Sequence, residues 1–245
     1  MQYGKFAGIY DGLMSGVDHD AWADYVMGFL PSGAHILECA CGTGEITKRL
    51  AAAGNTVIAT DNSEDMLRIA SEKLRQCGTI NRFVRFVSMD MRHIVVHKPV
   101  DAVVCCCDGV NYLLSRDDAK AFFSAAYSAL KPGGLLLFDV SSRYKLSTVL
   151  GQNCFADSND QTPYMWQNTY DEQTKLIRME LAFFVKNGSV YERFDETHLQ
   201  RAHSLRELIN WLGECGFEAQ AYNSFTLEPP SEESERIQFA ARKPI

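Results

Sequence analysis

Through the first 140 residues of the chain, short apolar runs favouring extended structure, each bounded by Gly, Asp or Pro, alternate with segments of helical periodicity. That alternation limits the fold more than any other feature. A strand that is apolar along its whole length is buried on both faces, and parallel strands need a crossover, usually a helix, between them. The pattern predicts strands at His35–Cys39, Thr56–Thr60, Phe83–Ser88, Val100–Cys106 and Gly134–Val140. Helices are expected at Asp20–Leu30, Glu45–Ala53, Glu64–Cys77 with Ser63 as N-cap, and Asp117–Leu130. The run "LKPGG", Leu130 to Gly134, carries the Pro and Gly signals that stop a helix and turn the chain into a strand.

After Val140 the rhythm changes. "PYMWQNTYDE", "KLIRMELAFFVKNG" and "SVYERFDETHLQRA" read as extended segments joined by turns, with "KNGS" as a hairpin. This is an antiparallel insertion. A helix at Ser204–Cys215 then restores the alternation, and "GFEAQAYNSFT" and "ERIQFAARK" supply two further strands.

With 245 residues, 46% of them hydrophobic, the chain can bury a sizeable core. Its formal net charge of -7 suits a nucleic acid poorly, because phosphate backbones demand many cationic contacts. Neither a secretory signal nor an apolar run of membrane-spanning length is legible, so no membrane partner is expected and the cytoplasm is the expected location. Five of the eight cysteines sit in "CAC" (Cys39, Cys41) and "CCC" (Cys105–Cys107), too close together to bridge one another. Consecutive strand residues point to opposite faces, so convergence on a metal is not expected and the thiols read as small buried side chains.

The stretch "ILECACGTGEIT", Ile36 to Thr47, runs from a strand through a Gly-rich turn into a helix, which brings backbone N–H groups and open space beside a ligand. Gly42 and Gly44 occupy the turn, while Thr47 stands where a dinucleotide fingerprint wants its third glycine, and this weakens a nicotinamide reading. Asp61 follows Gly44 by 17 residues, at the end of the next strand, where a carboxylate can accept both hydroxyls of a ribose. The third strand ends in "SMDMR", putting Asp90 and Met91 at the same edge, where a carboxylate and a backbone N–H could read an adenine. The fourth ends in "CCCDGVNYLL". Open α/β sheets bind ligands outside the carboxyl ends of their strands, so these tips describe one pocket.

The motifs "E-x-A-x-G-T-G", "D-N-S-x-x-M-L", "D-M-R" and "L-K-P-G-G", in that order between Phe6 and Val140, resemble those of class I S-adenosylmethionine-dependent methyltransferases. More narrowly, "F-A-x-I-Y-D", "C-D-x-V-N-Y-L-L" and "E-E-S-E-R-I-x-F" resemble a bacterial subgroup of small methyltransferases, similar in architecture to aminosugar N-methyltransferases and glycine N-methyltransferase. The resemblance implies an α/β, Rossmann-like methyltransferase fold: a seven-stranded, mostly parallel sheet with an antiparallel β insertion after the fifth strand. Residues 1–140 would form the cofactor-binding core with an N-terminal helical cap, 141–203 a lid, and 204–245 the closing helix and strand hairpin.

By the same resemblance, S-adenosylmethionine is the cofactor. Ala40, Gly42 and Gly44 would pass its methionine portion, Asp61 would hold the ribose, and Asn62 and Met66 would flank the adenine. Asp90 and Met91 would meet the adenine edge, Cys107 would offer backbone to the amino-acid end, and Tyr10 would close over the sulfonium. The negative face of a tyrosine ring independently suits a cationic sulfur. Tyr112, with Asn111 beside it, and His198 in "DETHLQR" are candidates for the acceptor side, set against packing beneath the insertion. Trp166, Arg178, Tyr191 and Glu196 join His198 as expected lid contacts. The expected reaction is methyl transfer to N or O of a small molecule, by a monomer or homodimer. An RNA or protein methyltransferase, a non-catalytic cofactor-binding module and a nicotinamide-dependent reductase stay open as alternatives.

Overall fold

The computed structural model describes residues 4–158, 160 and 162–245. The first three residues of the expected N-terminal cap, and Asn159 and Gln161 of the expected insertion, lie outside these. Two helices, α1 (Gly4–Leu13) and α2 (His19–Met27), precede β1 (His35–Cys39). There follow α3 (Glu45–Ala52), β2 (Thr56–Asp61), α4 (Glu64–Arg75), β3 (Val84–Ser88), β4 (Val100–Cys105), α5 (Arg116–Ala129) and β5 (Leu130–Ser141). The expected strands and helices are present, with ends shifted by a few residues.

Local chemistry explains the boundaries. Ser63 caps α4 by accepting the Met66 N–H at 3.3 Å, and Glu64 and Asp65 in the first turn, with Lys73 and Arg75 in the last, complement the helix dipole. The stripe Met66, Leu67, Ala70, Leu74 is buried at helical spacing. The "LKPGG" run differs from expectation: it is no separate turn but lies inside β5. Val100 pairs with Leu130, and Ala102 with Leu135. The excursion is held by Gly133 N–H donating to the Lys243 carbonyl and Lys243 N–H donating to the Gly134 carbonyl, each at 2.9 Å. Pro132, without an N–H, fits a bulge but not a regular ladder.

Beyond β5 come a six-residue π-helical turn (Lys145–Leu150) and a second sheet of β6 (Cys154–Asp157), β7 (Tyr164–Asp171), β8 (Leu176–Asn187) and β9 (Val190–Arg201), antiparallel throughout. The β8–β9 hairpin turns through Gly188, at φ +62°, and Ser189. The chain ends with α6 (Leu205–Glu214), β10 (Glu218–Asn223) and β11 (Arg236–Arg242); a reciprocal capping box between Ser204 and Glu207 starts α6.

The main sheet runs β10-β11-β5-β4-β1-β2-β3. Strands β5, β4, β1, β2 and β3 are mutually parallel, and β11 lies antiparallel between β5 and β10. Chain order reverses between β1 and β4, and the carboxyl ends of those two strands open the crevice where such sheets bind ligands. The cysteines divide between the two faces: Cys39 and Cys105 join one apolar cluster with Phe122, Phe123 and Phe138, whereas Cys41 and Cys106 join another with Ile36, Leu50 and Val104. Asn111, fully buried, fastens the second sheet to the first. Its amide nitrogen donates to the carbonyls of Ser141 (3.0 Å) and Arg201 (2.9 Å), and its oxygen accepts the Ser141 N–H.

Candidate active site

A cleft of about 670 Å³ lies over the carboxyl ends of β1, β2 and β4, with α1 and α2 along one side and β7, β8 and β9 along another. Its floor is the turn after β1. Ala40 (φ +53°) and Gly42 (φ +54°) hold left-handed conformations there, and a Cβ on Gly42 would stand 4.0 Å from the Tyr10 ring. The Gly42 N–H donates to one Asp61 oxygen at 2.9 Å, and the Ser63 N–H donates to the other at 2.8 Å. One carboxylate therefore fixes the turns after β1 and β2, with one edge of each oxygen left for a ligand. Burial raises the Asp61 pKa, opposed by these N–H bonds.

Gly44 lies outside the lining of the cleft and has a packing role of its own. It caps α3 at φ +80°, and a Cβ there would meet the Ala70 Cβ at 3.1 Å, so the residue permits α3 and α4 to approach and lies outside the cleft wall. Asn62 and Met66 do line the cleft, as do Asp90 and Met91. The Asp90 carboxylate, however, is occupied by Arg92: Nη2 donates at 2.7 Å and Nε at 3.1 Å, while Arg92 Nη1 reaches Asp118 at 2.6 Å. Arg92 holds Asp90 below its ordinary pKa.

Beyond β4 the chain takes two successive left-handed residues, Cys107 (φ +59°) and Asp108 (φ +57°). Such conformations are costly outside glycine and gather at ligand sites. Gly109 follows, with room for no side chain: a Cβ would fall 2.6 Å from Cys105 Sγ and 3.1 Å from the Ala40 Cβ. Arg236, from the terminal "E-E-S-E-R-I-x-F" motif, forms ion pairs with Asp108 and Asp139 and stacks its guanidinium 4.8 Å from the Trp22 ring. The Asp108 N–H also donates to Asp139, at 3.1 Å. Sequence reasoning noted both motifs but missed that their charged members meet.

Burial pushes Glu38 up to about 8, although the Thr47 hydroxyl donates to it at 2.5 Å, and pushes Asp139 up to about 7 against the pull of Arg236. Both folded values lie above the ordinary 4.5 and 3.8, so the stability each carboxyl contributes by keeping its proton is full below those ordinary values, falls as pH rises past them, and is gone once pH passes about 8 for Glu38 and about 7 for Asp139. The ligand-free protein is expected to lose stability from about pH 4 to about pH 8, between the unfolded and folded values of the two carboxyls, and Glu38→Gln, which keeps an acceptor for Thr47, to flatten that slope. Urea midpoints across the range check this; an unchanged slope in the variant would refute the role given to Glu38.

At the far end, the Tyr112 hydroxyl lies 3.3 Å from His198 Nδ1. The Phe6 ring packs 5.3 Å from the imidazole and 5.5 Å from the Tyr10 ring, whose phenol burial pushes well above its ordinary range. Burial lowers the His198 pKa, favouring the neutral ring. Trp166, Met179 and Leu181 continue the wall. Arg178 and Tyr191, expected here, are exposed on the second sheet, and Glu196 is half-buried on the inward face of β9 beside the cleft. Asn111, an acceptor-side candidate, spends its amide on the backbone bonds described above. Of the expected cofactor contacts, Tyr10, Ala40, Gly42, Asp61, Asn62, Met66, Asp90, Met91 and Cys107 all border this single cleft; Gly44 alone does not.

A mostly parallel sheet with its switch point at β1 and β4, and a glycine-floored cleft flanked by Asp61, is the nucleotide-binding architecture of class I methyltransferases. Residues 36–134 match the family model described as "Methyltransferase domain". The chain is 40% identical, over 99% of its length and 98% of the relative's, to "Putative methyltransferase YqeM" of Bacillus subtilis (strain 168). An S-adenosylmethionine-dependent methyltransferase of Clostridium acetobutylicum superposes with a TM-score of 0.89 at 32% identity, covering 99% of each chain. The sugar N-methyltransferase KedS8 of a Streptoalloteichus species shares the fold at 18% identity, with a TM-score of 0.78 over 96% of this chain and 93% of its own. The chain belongs to the S-adenosylmethionine-dependent methyltransferases. Among the described residues, no helix is long and apolar enough to cross a membrane.

Proposed function

We propose that the enzyme methylates a nitrogen or oxygen of a small molecule bound between the tip of β4 and the second sheet. The observation that carries this reading is the Tyr112–His198 pair, which spans the main sheet and β9 inside the same cleft as Asp61 and Gly42. Second-sheet residues Trp166, Met179, Leu181 and His198 line that part of the cleft, which supports a compact acceptor held between two sheets over an RNA strand or a protein segment. A sugar N-methyltransferase among the fold neighbours agrees with it.

The residues suit S-adenosylmethionine. Asp61 would take the ribose hydroxyls, Asn62, Met66, Asp90 and Met91 the adenine, and Ala40, Gly42 and the Cys107 backbone the methionine portion, with the Tyr10 ring against the sulfonium. For Asp90 the contact would use an edge of a carboxylate already paired to Arg92. The bound cofactor supplies an activated methyl group. The chain's own part is to align the acceptor and accept a proton where the acceptor brings one. His198, kept neutral by burial, can accept that proton, with Tyr112 orienting its ring through Nδ1. The eight unpaired thiols suit the reducing cytoplasm.

Turnover is tested by following release of S-adenosylhomocysteine over a panel of small amines and alcohols. With an accepted substrate, His198→Ala is expected to lower kcat by about 100-fold and Tyr112→Phe by less, the scale of general-base catalysis, while calorimetric affinity for S-adenosylhomocysteine stays near the parent's. Collapse of cofactor affinity with kinetics spared would place the pair on the wrong side of the cleft.

A further inference from the structure

We infer that Lys145 is an oxyanion anchor in the acceptor site, so that the acceptor carries a carboxylate or phosphate beside its methylated atom. The inference rests on the reading of the cleft just given and adds the acceptor's chemical class.

Among the described residues, besides the histidines, three cations line the cleft: Arg92, Arg236 and Lys145. The first two are spoken for. Arg92 is matched by Asp90 and Asp118, and Arg236 by Asp108 and Asp139. Lys145 is not: among the described residues no carboxylate lies within ion-pair distance of its ammonium, although the side chain is largely withdrawn from water and desolvation lowers its pKa. Asp108, Glu235 and Asp139 attract it only from beyond contact. A part-desolvated ammonium without a partner is costly, and an incoming oxyanion removes that cost.

The backbone aims this group. Lys145 opens the π-helical turn after β5, and the wide π turn brings Lys145 and Leu150 onto the cleft while Leu146 enters the apolar cluster of Ile177 and Met179. The Lys145 N–H donates to the Ser142 hydroxyl at 3.0 Å, fixing the start of the turn. Trp166 and Met179 line the same cleft, an apolar wall suited to the body of a small organic acid. The turn lies between β5 and the second sheet, on the stretch of chain that also delivers His198.

The same oxyanion chemistry could come from the acceptor or from the cofactor's own carboxylate, and the experiment separates them. Parent enzyme, Lys145→Met and Lys145→Arg, each saturated with S-adenosylhomocysteine, are titrated with phenylacetate, phenyl phosphate and the neutral phenylacetamide, following tryptophan fluorescence. In the parent and Lys145→Arg at least one anion is expected to bind about tenfold or more tighter than the amide, and in Lys145→Met that preference disappears with S-adenosylhomocysteine affinity within about threefold of the parent. Equal binding of anions and amide by the parent, or a preference that survives Lys145→Met, overturns the anchor. So does a tenfold or greater loss of S-adenosylhomocysteine affinity in Lys145→Met with 5′-methylthioadenosine, which lacks the amino-acid portion, unaffected; the ammonium then serves the cofactor. A parent that binds no S-adenosylhomocysteine overturns the reading of the cleft itself, whereas cofactor binding without anion preference overturns the anchor alone.

Discussion

Arg236→Met is expected to lower the unfolding free energy by about 3–5 kcal/mol, the cost of stranding buried charge. The guanidinium serves two carboxylates, one of them, Asp139, fully buried, and lies over Trp22, so its loss releases the start of β11 from β5, from the tip of β4 and from α2. Without the cation, Asp139 is pushed further above 7 and holds its proton in the folded state. The loss should therefore deepen as pH rises, because the solvent then draws that proton away only at the expense of folding. Arg236→Met combined with Asp108→Asn should cost less than the two single changes added together. Denaturant titrations at two pH values test both statements. A loss under about 1 kcal/mol at neutral pH would mean that the triad is dispensable packing.

Asp61→Ala is expected to weaken S-adenosylmethionine binding by about 2 kcal/mol or more, roughly 30-fold in Kd, through loss of charge-assisted hydrogen bonds in a part-buried site. The substitution acts twice. It removes the acceptor proposed for the ribose, and it leaves the Gly42 and Ser63 N–H groups without their partner, loosening the turns after β1 and β2. Asp61→Asn keeps an acceptor and is expected to fall between parent and alanine variant. Calorimetry with S-adenosylhomocysteine decides the matter, and unchanged affinity in Asp61→Ala would remove the ribose assignment.

The central strands of the main sheet were legible because burial on both faces makes them near-continuous apolar runs, and Asp61 because it ends the strand next to β1, at the cleft's edge. Gly44 carried an ambiguity: a left-handed glycine at a strand–helix turn can serve a ligand or a helix contact, and its contact with Ala70, which explains why it is glycine, has no local signature. Strand β6 gave no signal, since all four of its residues are exposed and nothing alternates. Arg236 was visible as a motif member, yet its partner Asp108 is 128 residues away, and pairing at that separation has no local signature. Lys145 was hidden by the π turn, whose spacing matches neither the helical nor the strand period.

The bonds made by Asn111 have a consequence for how this enzyme could be remade. One side chain holds Ser141 and Arg201, so the 59 residues between them leave the main sheet and return to its edge through a single doorway. Chain closed at a fixed doorway becomes only slightly more expensive as it lengthens, about 0.6 kcal/mol for each doubling. A transplant cut at those two residues, carrying a different acceptor wall on the same cofactor platform, would face a small thermodynamic barrier. On the acceptor reading proposed above, turning the enzyme toward a new substrate would mean exchanging the wall this contiguous cassette supplies, with Asn111 kept as the hasp that receives it.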